Sequence, residues 1–106
     1  MKNIKYLYLI FFVSLNLFFQ PLKSDEMYNF GKDVFLNKAN CASCHTLADA
    51  ESIGQIGPNL DQIKLEFMRV LNAVSLGIGV MPAFENILTD KEIESVSYYV
   101  FKSTNK

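Results

Sequence analysis

Residues 41–45 read Cys-Ala-Ser-Cys-His, and they contain the only two cysteines and the only histidine of the chain. Three chemistries use such a trio. A closed zinc site needs four ligands. With no further cysteine or histidine, the fourth would have to be an unusual carboxylate or come from a partner chain. A thioredoxin-type thiol pair sits where a strand meets a helix in a βαβ setting, and no βαβ pattern surrounds this motif. As a structural disulfide the pair would close too small a loop to stabilise much. Covalent haem attachment uses all three residues at once: two thiols add across the porphyrin vinyl groups, and the adjacent imidazole reaches the iron from one side. The expected cofactor is one haem c with its iron, held by Cys41 and Cys44 and ligated by His45.

The far side of the iron then needs a ligand, and Met with His is a known axial pair. Beyond the leader the candidates are Met27, Met68 and Met81. Met68 neighbours the apolar face of an expected helix, and Met27 lies at the start of the folded chain. Met81 stands in a strap bounded by Gly77, Gly79 and Pro82, far enough from His45 for the chain to pass round the haem edge and return. It is the expected second metal ligand. The competing use of a methionine here is to fill a gap in the core.

These residues need a scaffold, and the first quarter of the chain does not supply it. Lys2 and Lys5 precede an apolar run of about fourteen residues, Tyr6 to Phe19, short for a bilayer span. Pro21 then breaks the run, and Leu22 and Ser24 stand where a signal peptidase inspects the chain. The expected organisation is a signal peptide over residues 1–24 and one exported domain over 25–106, in the periplasm. Left uncleaved, the leader would act as a membrane anchor. The mature part carries seven Lys and Arg against eleven Asp and Glu, a net charge of −4. That leaves no basic footprint for nucleic acid and suits a positively charged docking surface on a partner. About 82 residues bury only a modest core, so a bound group is expected to supplement it.

Periodicity predicts three helices and little strand. Phe30, Val34 and Phe35 share a face of a helix over Met27–Lys38, with Asp25 and Glu26 favourably placed at its start. Gly31 inside it would cost about 1 kcal/mol relative to alanine, which points to a second helix crossing closely there. No period holds from Thr46 to Leu60, and Gly54, Gly57, Pro58 and Asn59 mark a loop. Ile63, Phe67, Val70, Leu71 and Val74 predict a helix over Leu65–Leu76, stopped by Gly77 and Gly79. Pro82 biases Met81 to an extended strap. Thr89 and Glu92 form a capping-box pattern that opens a last helix, whose Ile93, Val96, Tyr99 and Val100 share a face.

Taken with GKDVF (31–35), CASCH (41–45), GPNL (57–60), MPAF (81–84) and Tyr99, residues 27–102 resemble the class I c-type cytochromes. The resemblance implies an all-α, class I cytochrome c fold, a few helices wrapped round one haem c. It implies that Gly31 and Phe35 pack against Tyr99, and that the Pro58 carbonyl accepts a hydrogen bond from the His45 ring. Phe35 lies two residues further from Cys41 than in many members, and no tryptophan is present to meet a haem propionate. Tyr98, Lys64 and Arg69 are candidates for that contact. The implied function is one-electron transfer between exported redox proteins, a donor dehydrogenase and an acceptor oxidase or other cytochrome, without catalysis. More narrowly, the motif region resembles the cytochromes that accept electrons from periplasmic sulfite dehydrogenases. Two other readings stay open: the haem subunit of an exported dehydrogenase, and a haem-based sensor in which Met81 gives way to a small ligand.

Overall fold

The structure, a computed structural model, describes residues 22–106. Apart from its last three residues, the expected signal peptide lies outside the described residues. A helix begins at Ser24, three residues earlier than the apolar period alone predicts, because the Met27 N–H already bonds the Lys23 carbonyl (2.9 Å). This helix, α1 (Ser24–Asp33), runs into a five-residue π-helical turn, Val34–Lys38, closed by the Ala39 N–H on the Val34 carbonyl (2.9 Å). The wider turn lets the consecutive Val34 and Phe35 both be buried. It also takes up part of the extra length between Phe35 and Cys41. Asn40, in the left-handed region at φ 52°, then turns the chain into Cys41.

Helix α2 (Phe67–Leu76) starts two residues later than its period suggests. Asn105 Nδ2 bonds the Leu65 carbonyl (2.8 Å), and Leu65 enters the core as a buried residue just outside the helix. Helix α3 (Asp90–Thr104) opens on the expected capping box: Thr89 Oγ1 accepts from the Glu92 N–H (3.1 Å), and Glu92 Oε1 accepts from the Thr89 N–H (2.9 Å).

The crossing of α1 and α3 explains the helical glycine. A Cβ on Gly31 would overlap the Ser95 carbonyl and come within 2.7 Å of Tyr99 Cβ. Tyr99, fully buried, meets Tyr28 and Phe35 edge to face, with centroids 4.9 and 5.7 Å apart. Ion pairing between Lys38 and Glu92 (2.8 Å) ties the π turn to α3. The core joins these residues to Leu47, Leu65, Val70, Val74, Leu88, Ile93, Val96 and Val100.

The stretch read from sequence as a plain loop holds a small antiparallel pair, β1 (Thr46–Leu47) and β2 (Ser52–Ile53), with Thr46 opposite Ile53 and Leu47 opposite Ser52. Two residues each are too few to show a period of two, which is why the strands escape a sequence pattern. A 3₁₀ turn, Ala48–Ala50, joins them. Among the described residues, no helix is long and apolar enough to cross a membrane.

Candidate haem site

Cys41 and Cys44 occupy one short turn whose shape comes from local polar groups. Cys41–Ser43 form a 3₁₀ turn, and the Cys44 and His45 N–H groups both bond the Cys41 carbonyl (3.1 and 3.0 Å). Ser43 Oγ donates to the Asn40 carbonyl (2.8 Å). Both thiols are free rather than joined. Burial pushes the Cys41 thiol up to about 11, so it stays protonated at neutral pH.

His45 is held from three sides. Its Nδ1 lies 2.8 Å from the Pro58 carbonyl oxygen, which can only accept, so Nδ1 carries the proton and Nε2 presents its lone pair. A Cβ on Gly57 would come within 2.5 Å of His45 Cε1, so only glycine lets the backbone lie this close to the ring. Gly54 does the same for the main chain, since a Cβ there would stand 2.7 Å from His45 N. Three hydrogen bonds close the loop: the Gly57 N–H on the Cys44 carbonyl (2.7 Å), Ser52 Oγ on the His45 carbonyl (2.9 Å), and Thr46 Oγ1 on the Gly54 carbonyl (2.9 Å). Sequence reading marked Gly54 and Gly57 only as irregular backbone. Their spacing from His45, nine and twelve residues, is the signal that would have flagged them.

Met81 sits in the strap between α2 and α3. Ile78 and Met81 exchange both backbone hydrogen bonds (3.1 and 2.9 Å), and Gly77 and Gly79 take positive φ to make that turn. A Cβ on Gly77 would approach the Met81 carbonyl oxygen to 2.6 Å. The Phe84 N–H on the Val74 carbonyl (2.9 Å) fastens the strap to α2. Met81 is half-buried against the core that Cys41 also borders, whereas Met68 is exposed. Of the residues expected to contact a propionate, Lys64 and Arg69 are exposed. Tyr98 instead lines a cleft between α1 and α3 with Ser24, Asp25, Tyr28 and Lys102.

The donor set fits haem c. Two reduced thiols stand three residues apart, an imidazole has its Nε2 free of any hydrogen bond among the described residues, and a thioether lies on a rigid strap. The segments carrying them also expose Ile53, Ile56, Ile78 and Val80, apolar surface suited to a porphyrin rather than to a hydrated ion.

A family model described as "Cytochrome C oxidase, cbb3-type, subunit III" matches residues 26–100. The chain belongs to the class I c-type cytochromes, small helical proteins that carry electrons on a covalently bound haem c. It is 35% identical over 83 residues to cytochrome c6 of Bryopsis maxima, covering 72% of this chain and 91% of that protein. To cytochrome c6 of Pyropia tenera it is 30% identical over 80 residues, covering 72% and 92%. Among solved structures it is similar to the c-type cytochrome SorU from Sinorhizobium meliloti, with a TM-score of 0.72 and 50% identity, covering 77% of this chain and 95% of that one.

Proposed function

We propose that Cys41 and Cys44 hold the haem through thioethers, that His45 binds the iron through Nε2, and that Met81 is the opposite ligand. When bound, haem c supplies an iron that cycles between Fe(II) and Fe(III). The bond from Nδ1 to the Pro58 carbonyl carries this reading. It fixes the imidazole tautomer that leaves Nε2 for a metal and holds the ring in orientation. The thioether of Met81 favours the lower oxidation state and with it a higher potential. With His45 and Met81 both holding the iron, no seat would be left for oxygen or peroxide, which favours a carrier over an enzyme.

The carrier works in the periplasm after cleavage near Ser24, between an exported dehydrogenase and an oxidase or second cytochrome. The resemblance of its motif region to acceptors of sulfite dehydrogenases favours such an enzyme as donor. Haem should stay on the polypeptide through denaturation and acidic extraction. Free extraction from matured protein would overturn the attachment. Stable co-purification with a larger exported oxidoreductase would identify a subunit, and tight binding of carbon monoxide by the reduced protein at neutral pH would identify a sensor.

A further inference from the structure

We propose that Asp49 is a positioning residue for His45, linking the loop that grips the imidazole to helices α1 and α3. The inference rests on the reading of His45 as an iron ligand. Asp49 lies in the turn between β1 and β2, with its side chain only 17% exposed. Tyr99 OH donates to one carboxylate oxygen (2.7 Å) and Lys106 Nζ to the other (2.7 Å). Lys32 Nζ stands 3.4 Å from the carboxylate and also donates to the Asp49 main-chain carbonyl (2.9 Å). The buried hydroxyl of Tyr28 lies beside the same group without a well-aligned bond of its own. One side chain thus collects α1, α3 and the C-terminal residue.

The turn has two routes to the ring. Through β2 it reaches Ser52, which bonds the His45 carbonyl, and Gly54, packed on the His45 main chain. Through the Ala48 N–H it reaches Asp61 Oδ2 (2.8 Å), whose own N–H bonds Asn59 Oδ1 (3.0 Å). Asn59 directly follows Pro58, the acceptor of the ring proton. Neither route has slack, because backbone and ring are already at contact at Gly54 and Gly57. A displaced turn therefore moves the Pro58 carbonyl or the ring.

The test uses the reduced holoprotein and reads two quantities, the solvent-exchange rate of the His45 Nδ1 proton by NMR and the reduction potential. Asp49→Ala should speed that exchange at least tenfold and shift the potential, with Tyr99→Phe moving both in the same direction by less. Asp49→Asn, which can still accept from Tyr99, should fall between wild type and alanine. Val100→Ala, a core truncation on α3 at a side chain that makes no hydrogen bond to Asp49, measures what lost stability alone does. If Asp49→Ala and Tyr99→Phe exchange no faster than Val100→Ala at unchanged potential, Asp49 is a fold anchor and the proposal fails. If Asp49→Ala yields no holoprotein, Tyr99→Phe and Asp49→Asn decide by the same criterion. Failure of the ligand reading is separate: the wild-type His45 ring protons would then lack the large upfield shifts of a haem-bound imidazole.

Discussion

At the scale of single residues, the site divides into groups whose chemistry is fixed by type and groups fixed by space. Met81 belongs to the first. Met81→Ala should abolish the weak long-wavelength absorption of methionine-to-ferric-iron charge transfer, admit exogenous ligands and lower the potential. Met68→Ala should leave all three unchanged, as suits an exposed side chain. Loss of the band in the Met68 variant with retention in the Met81 variant would reverse the axial assignment. Gly57 belongs to the second. Its Cβ-free surface lies against His45 Cε1, and an alanine there must tilt the ring or move Pro58. Gly57→Ala should therefore accelerate exchange of the Nδ1 proton and cost about 1–3 kcal/mol, as overpacking does, measured by NMR and denaturant titration. Cys41, Cys44 and His45 stood out because their side-chain chemistry is rare in this chain and their spacing is local, and Met81 because glycines and a proline bound its strap. The roles of Gly54, Gly57 and Asp49 did not, since each depends on what the fold brings against it: the His45 backbone and ring for the two glycines, and Tyr99 and Lys106, 50 and 57 residues on, for Asp49.

At the scale of elements, the helices were legible where apolar period and caps agreed. Thr89 with Glu92 fixed the start of α3, and Gly77 the end of α2, to the residue. Leu65 shows the limit. Its apolar side chain extends the helical period, but the tertiary bond from Asn105 keeps it outside the helix. The π turn at Val34–Lys38 and the two-residue strands were equally invisible, because neither has a period long enough to read. The closeness of α1 and α3 at Gly31 was legible as a glycine that made no sense in isolation. Gly31→Ala must push Ser95 and Tyr99 away, so it should destabilise by about 3 kcal/mol or more despite its better helix propensity. A thermal midpoint at or above that of the parent would contradict the crossing. The ends of these helices also set the acid limit. Lys38, with the Thr89 cap, holds Glu92 down from its ordinary 4.5 to about 2. Burial opposes the charge on Asp49, but hydrogen bonds from Lys106 and Tyr99 and the charge of Lys32 outweigh it and hold that carboxyl well below the usual range. A depressed carboxyl lends stability that is full above its unfolded pKa and is lost as pH falls towards the folded one. The thermal midpoint should therefore drop most steeply below pH 4.5. Glu92→Gln should be less stable than the parent at pH 7 and should flatten the part of the decline between about 4.5 and 2.

At the scale of the whole molecule, the acidic surplus is unevenly spread, and its location bears on electron transfer. Residues 46–88, which include the loop on His45 and the strap with Met81, hold Asp49, Glu51, Asp61, Glu66 and Glu85 against Lys64 and Arg69. The parts of the mature chain on either side, dominated by α1 and α3, carry six acids against five lysines and are close to neutral. Within this segment Glu51, Asp61, Glu66 and Glu85 are exposed against exposed Lys64 and Arg69, and Ile53, Ile56, Ile78 and Val80 are exposed as well. A surface segment with surplus acid favours cationic reactants, and salt screens the attraction over about 10 Å at 0.1 M. Oxidation of the reduced protein by a small cationic cobalt(III) complex should therefore slow by about twofold or more as ionic strength rises from about 0.01 to 0.2 M. Oxidation by ferricyanide, an anion, should quicken over the same range. Stopped-flow absorbance follows both reactions without knowledge of the physiological partner. Glu51→Gln with Glu85→Gln should weaken both salt effects, while Glu26→Gln with Glu94→Gln, which make the same change in net charge on α1 and α3, should weaken them less. Equal effects from the two pairs would mean that only net charge matters and that electrons do not leave through the surface of residues 46–88.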